Sequence, residues 1–198
     1  EVKPENVIVG GNSSLSLMFD YVSQCMYQGV GFTPWSQQGE VKFLCPCPGY
    51  DRHFAICESL GIEMINVDMT SSGPNVEQIK EYVKDPMVKG MFVVPKYSNP
   101  QGITFSEETV KAIAELTPAA SDFRIIWDNA YIVHDLTDST DNLLNIFEVL
   151  PERNKNMVIE VTSTSKISFP GAGVSCLASS EENIKEILKR LTVQSISY

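Results

Sequence analysis

Short apolar runs alternate with amphipathic stretches along almost the whole chain, and this alternation narrows the fold more than any other feature. Residues 41–44, 62–67, 91–94, 125–127, 158–161 and 174–178 are strand-like, several of them apolar at consecutive positions. A strand needs no polar face only when both of its faces are covered, so these runs read as a buried sheet with helices against it. The intervening stretches carry apolar residues at helical spacing: Val76, Ile79 and Val83, then Val110, Ile113 and Ala114, then Ile184, Ile187, Leu188 and Leu191. Asn75 with Gln78 three residues on, Ser106 before two glutamates and Ser180 before Glu181-Glu182 mark helix starts. The pattern predicts an α/β fold. No repeat or low-complexity linker divides residues 1–198, which are therefore taken as one domain.

A length of 198 residues with 43% apolar and 20% charged content suffices for a substantial core. The formal charge of −10 argues against nucleic acid or an anionic membrane as partner and leaves room for a local phosphate pocket, so small-molecule partners are expected. Five cysteines, with Cys45-Pro46-Cys47 and Cys57 close together, do not form a disulfide framework for a chain of this size and point to a reducing compartment. No leader-like start and no run of membrane-spanning length is present, so the expected location is cytoplasmic. The chain opens at Glu1 and meets a glycine turn within ten residues, which suggests a piece of a longer protein.

In open α/β sheets ligands collect beyond the carboxyl ends of the strands. Asn99, Asp128 and Lys166 each follow a predicted strand. Lys166, in Ser163-Thr164-Ser165-Lys166, has the apolar Phe169-Pro170-Gly171 downstream, an environment that suits a lysine kept from water better than a solvated one. A lysine so placed favours its neutral, nucleophilic form; the plain alternative is a surface lysine. Asp128, in Asp128-Asn129-Ala130-Tyr131, has no basic neighbour in sequence and reads either as a helix cap or as a carboxylate that keeps a pyridine nitrogen protonated. Tyr131 is placed to act with it. Asn99-Pro100-Gln101-Gly102 is a turn by composition, with an asparagine suited to donate to a ligand phenolate.

Gly10-Gly11-Asn12-Ser13-Ser14 precedes an amphipathic segment running to about Met26, and is either a serine-capped turn or a phosphate site at a helix start. Tyr50, in Pro48-Gly49-Tyr50, could pack in the core or stack on a flat cofactor. Cys45, Cys47, His53 and Cys57 fit no common zinc spacing, so no metal is expected.

Taken in order, these motifs resemble those of the fold-type I aminotransferases that use pyridoxal 5′-phosphate (PLP), in the aspartate aminotransferase superfamily. The stretches Phe43-Leu44-Cys45-Pro46 to Arg52-His53-Phe54 and Val94-Pro95-Lys96-Tyr97-Ser98-Asn99-Pro100 look like a bacterial aspartate-type subgroup. The resemblance implies a three-layer α/β/α domain with a mostly parallel mixed sheet, the large, cofactor-binding domain alone. It implies Lys166 as the internal aldimine and proton carrier, Asp128 on the pyridinium nitrogen, Asn99 and Tyr131 on the phenolic oxygen, Tyr50 stacked on the ring, and Asn12, Ser13, Ser14 and Ser163 on the phosphate. It also implies amino-acid and 2-oxo-acid substrates, the amino acid aspartate-like, and a homodimer. Two departures stand out: Ala172-Gly173-Val174 occupies the stretch where many relatives place a phosphate-binding arginine, and the small domain with its carboxylate-gripping arginine is missing. The rival readings are a PLP-dependent lyase or decarboxylase and a non-catalytic regulatory module of the same fold.

Overall fold

The structure is a computed structural model that describes residues 2–135, 137–169 and 171–196; Pro170 of the Phe169-Pro170-Gly171 motif lies outside the described residues. Eight strands form one sheet in the order β1-β8-β7-β6-β5-β2-β3-β4: β1 (Val7–Val9), β2 (Lys42–Cys47), β3 (Glu63–Thr70), β4 (Gly73–Pro74), β5 (Val88–Val93), β6 (Arg124–Asp128), β7 (Val158–Ser163) and β8 (Ser175–Ala178). From β7 through β3 neighbouring strands run parallel, while β8 and β1 on one edge and β4 on the other pair antiparallel. The mostly parallel mixed sheet is thus present. Every residue of β5 and β6 is buried, as strands covered on both faces require.

Two apolar layers show why. Ile126, Phe92, Phe43 and Ile159 on one face pack with α1 (Ser14–Tyr27), α2 (Asp51–Leu60) and α5 (Glu181–Gln194) through Tyr21, Ile56 and Ile187. On the other, Ile125, Trp127, Met91 and Leu44 pack with α3 (Val76–Tyr82) and α4 (Glu107–Ala114) through Ile79, Val110 and Ile113. Successive residues of β6 therefore feed opposite layers, the period of two that a strand imposes. Gly90 on β5 permits the close approach of Phe43, since a Cβ there would come within 2.4 Å of its ring.

The helix starts follow local chemistry. The Asn75 side chain accepts from the Glu77 and Gln78 amides, Ser106 from Thr109 and Ser180 from Asn183, each satisfying donors that a first turn leaves free. Strands β2, β3 and β5 are displaced or extended relative to the predicted runs, and β1, β4 and α2 were not legible as elements. Helix α2 has its apolar residues Ile56, Cys57 and Leu60 crowded into its second half, behind a polar first turn.

Candidate active site

Strand β6 delivers Asp128 to the layer shared with α2, where His53 meets it: His53 Nε2 lies 3.0 Å from Asp128 Oδ2, and the two residues are 2% and 4% exposed. The imidazole is stacked on Phe92 at 4.7 Å between centroids and meets Tyr50 edge-on at 5.2 Å. It is thereby held from the sheet, from α2 and from the turn before α2. Asp128 Oδ1 is buried and has no hydrogen-bond partner among the described residues. Leaving a buried polar atom unsatisfied costs about 1–3 kcal/mol, so such an atom at a strand end points to a ligand donor. Of the two readings of Asp128, the helix cap fails: a turn, with no helix, follows β6 through residues 130–133.

Strand β7 ends at Ser163 and passes into a single 3-10 turn, Thr164–Lys166, which the Ser163 side chain caps by accepting from the Ser165 amide. Ser163 Oγ and Ser165 Oγ both lie on the carbonyl oxygen of Asn12, at 2.6 and 2.7 Å. These two contacts join the lysine turn to the glycine-rich turn before α1. Ser13 caps α1 by accepting from the Ser16 amide, and Asn12, Ser13 and Ser14 are half-buried at that helix start. The cap reading is therefore present, and it leaves the helix N-terminus able to receive an anion as well.

The Ala172-Gly173-Val174 stretch folds onto the same turn. Thr164 donates its amide to the Val174 carbonyl at 2.9 Å, and the Val174 amide donates to Thr164 Oγ1 at 2.9 Å. A Cβ at Gly173 would stand 2.8 Å from Thr164 Oγ1 and 3.0 Å from the Ser165 nitrogen, so only glycine permits this approach.

Lys166 corrects the sequence reading. It is exposed, because Phe169, the apolar side chain expected to shelter it, is itself turned outward at 78% exposure; Ile167 and Val174 nearby are exposed too. Its ammonium instead finds Tyr131, donating to the phenol oxygen at 2.5 Å with Nζ 3.9 Å from the ring centroid. His134 steadies both partners, meeting the Tyr131 ring edge-on and placing Nε2 3.2 Å from the Lys166 carbonyl oxygen.

Tyr50 occupies the N-cap position of α2 and, with His53, Phe92, Ser98 and Asn99, lines a small cleft beyond β5. The chain reaches Asn99 through Tyr97, whose φ of 49° is left-handed, and through Ser98, whose hydroxyl accepts from the Ile103 amide. The Asn99 side chain is half-buried and makes no hydrogen bond among the described residues. The sequence-predicted residues thus fall into three groups: Asp128 with Tyr50 and Asn99 around His53, Lys166 with Tyr131, and Asn12, Ser13 and Ser14 with Ser163.

His53 and Ser165 are the members that sequence reasoning missed. His53 was visible only as one of a set of sulfur and nitrogen atoms near Cys45; its spacing of three from Tyr50 becomes informative once residues 51–60 are known to be helical. Among the described residues no group of three His, Cys, Asp or Glu side chains could hold a metal, and all five cysteines are free thiols.

A chain with this sheet and these strand-end residues has known counterparts. An aspartate aminotransferase of Corynebacterium glutamicum is 46% identical over 187 residues, covering 93% of this chain and 43% of the relative. The crystal structure of an aspartate transaminase from the same species superposes with a TM-score of 0.94 at 44% identity, covering 98% of this chain and 46% of that one. An aspartate aminotransferase of Thermus thermophilus shares the fold at 16% identity, with a TM-score of 0.73 over 99% of this chain and 47% of that one. The chain therefore spans about half the length of the relatives it matches. The family model described as aspartate amino-transferase matches residues 1–198, and the chain belongs to that family.

Proposed function

We propose that this chain is the large, cofactor-binding domain of a PLP-dependent aminotransferase that moves an amino group between an aspartate-like amino acid and a 2-oxo acid. The observation that carries the reading is Asp128: one carboxylate oxygen is fixed by His53 and the other is buried without a partner. That donor set fits a protonated pyridine ring, which needs one carboxylate oxygen to accept its N–H. The name of the C. glutamicum relative, which is 46% identical, supports the aspartate-like substrate. A homodimer and a cytoplasmic location belong to the same proposal; among the described residues no helix is long and apolar enough to cross a membrane.

Bound PLP supplies an aldehyde for amine exchange and a ring that draws electrons from the carbon bearing the amino group. Asp128 holds the ring nitrogen protonated. His53 fixes the carboxylate's direction and accepts none of the substrate. Lys166 would hold the cofactor through its side-chain amine and, once that amine is freed, would serve as the proton carrier beside the substrate. Tyr131, in contact with Lys166 Nζ, and Asn99 serve the phenolic oxygen, while Tyr50 covers a ring face. Asn12, Ser13 and Ser14 at the α1 N-terminus, with Ser163 held on the Asn12 carbonyl, would take the phosphate through backbone and hydroxyl donors. Substrate orientation contributes much of an aminotransferase's rate, so this chain alone should transaminate poorly.

The test is to add PLP to the purified chain and to Lys166→Ala, record the absorption spectrum, reduce with borohydride and locate the modified residue by peptide mass. Covalent label on Lys166, absent from the variant, is expected. A folded chain that binds no PLP, or one labelled at other lysines to the same extent, would overturn the assignment of the cofactor to these residues.

A further inference from the structure

Side chains of β6 alternate, so the residue after Asp128 faces the opposite layer. Asn129 there borders a solvent-connected cavity of about 430 Å³, together with Lys96, Trp127, Ile132, Asp141 and Glu160 and the loop through residues 142–146. This lies within the range of small-molecule pockets, about 300–1,000 Å³. Of these residues only Lys96 and Asn129 fall in motifs quoted from the sequence, neither with a role of its own, and none is used by the site on the Asp128 face.

The deeper polar atoms that border the cavity, those of Asn129 and Glu160, leave acceptors in excess. Asn129 is 3% exposed; its amide nitrogen donates to Glu160 Oε1 at 2.7 Å, and its Oδ1 is buried with no partner. Glu160 makes no other side-chain hydrogen bond among the described residues. The one cationic side chain among the described lining residues, Lys96, is already engaged: it donates to the Ile132 carbonyl oxygen at 3.0 Å and lies 3.4 Å from Asp135 Oδ1. What remains without a protein donor is the second Glu160 oxygen and the amide oxygen of Asn129, with the exposed Asp141 carboxylate at the cavity's rim. Around them stand the apolar surfaces of Trp127, Ile132 and the leucines of the loop. An N–H-bearing cation with an apolar tail matches both parts of that lining, whereas an anion would meet two carboxylates with no free cation to answer it.

We propose that this cavity is a second binding site, for a small alkylammonium whose N–H group is received by Asn129 Oδ1 and Glu160 and whose hydrocarbon part lies on Trp127 and Ile132. Burial pushes the Glu160 carboxyl above its ordinary range, with the Asn129 hydrogen bond opposing, and a bound cation would relieve that cost. Because Asn129 directly follows Asp128, the ligand would lie behind the carboxylate of the first site. The proposal stands independently of the PLP assignment.

The probe is N,N-dimethylbutylammonium, a tertiary amine that keeps one N–H and cannot condense with an aldehyde. Isothermal titration calorimetry on the purified chain, with and without PLP, should show it binding at least tenfold more tightly than 2-methyl-2-hexanol, its neutral counterpart, and pentanoate should not bind. Glu160→Gln, which preserves shape and the hydrogen bond from Asn129, should weaken the ammonium at least tenfold, and Lys166→Ala should leave it unchanged. The comparison of ammonium with alcohol needs no variant and so survives any folding defect of Glu160→Gln. No heat at millimolar ammonium, equal affinity for the alcohol, or undiminished binding to a folded Glu160→Gln would each overturn the proposal.

Discussion

Asp128 and Lys166 follow from neighbouring parallel strands, β6 and β7, yet they are built in opposite ways. Asp128 is a residue of the strand itself, enclosed by the sheet and α2 and clamped by a histidine 75 positions earlier in sequence. Lys166 comes three residues after its strand, in a single 3-10 turn, with an exposed side chain and apolar neighbours that face outward. The first is organised by the core of this chain. The second is organised only by a turn and by Tyr131. Substitution at the two positions should therefore separate stability from chemistry.

The largest effect is expected at the clamped end. Asp128→Ala leaves the buried His53 nitrogen without its partner, a loss of about 1–3 kcal/mol. For a chain of this size that lowers Tm by about 2–12 °C, whereas Lys166→Ala, an exposed side chain with one hydroxyl partner, should stay within about 0.5 kcal/mol of the parent. Thermal unfolding followed by circular dichroism measures both. Equal destabilisation by the two substitutions would break the contrast.

A double-mutant cycle sharpens it. His53→Ala alone removes the same contact together with the ring that stacks on Phe92, so it should cost at least as much as Asp128→Ala. The double variant should then fall short of the sum by about 1–2 kcal/mol, the signature of two buried groups that serve each other. Additivity in urea-unfolding free energies would mean that the pair is adjacent without being coupled.

The same contrast explains what could be read beforehand. Consecutive apolar residues in 125–127 and 158–161 and helical spacing in 110–114 depend on burial, which leaves a record in composition; the sheet, both helical layers and the strand-end positions of Asp128 and Lys166 followed from it. Lys166's exposure did not, because the outward direction of Phe169 and Val174 is a property of loop geometry and not of hydrophobicity. His53 escaped as well: a buried histidine is justified by a carboxylate far away in sequence, and nothing local distinguishes it from a surface one. The short strands β1 and β4 escaped for want of length. Glu160 shows the limit of periodicity from the other side, since a lone acid within an apolar strand marks a cavity that only the fold brings into being.

Between the extremes lies Ser163, buried like Asp128 but joined to the lysine turn. Ser163→Ala removes a hydroxyl that lies 2.6 Å from the Asn12 carbonyl oxygen and that accepts from the Ser165 amide, at a cost of about 1 kcal/mol. The expected outcome is a small fall in Tm together with a several-fold loss of affinity for PLP in a spectrophotometric titration, since the turn before α1 loses one of its two side-chain ties to the lysine turn. A fall in PLP affinity with no change in Tm would instead assign the hydroxyl to the phosphate alone.

The smallest effect concerns the other face of the sheet, where Glu160 of β7, beside Trp127 of β6, has its carboxyl raised by burial. An acid whose folded pKa lies above its unfolded value binds its proton more tightly when folded, so its contribution to stability is fully present below the unfolded value and declines as pH rises through the folded one. Unfolding free energy measured in urea at a series of pH values should accordingly fall across that window, upward from the ordinary carboxyl value of 4.5, against the rise contributed by hydrogen-bonded and ion-paired acids such as Asp85 and Glu182. Glu160→Gln should remove this decline, leaving the variant the more stable of the two near neutrality and the less advantaged in acid. If the two pH profiles run parallel instead, Glu160 is not desolvated, and the contrast between the two faces of the sheet loses its electrostatic part.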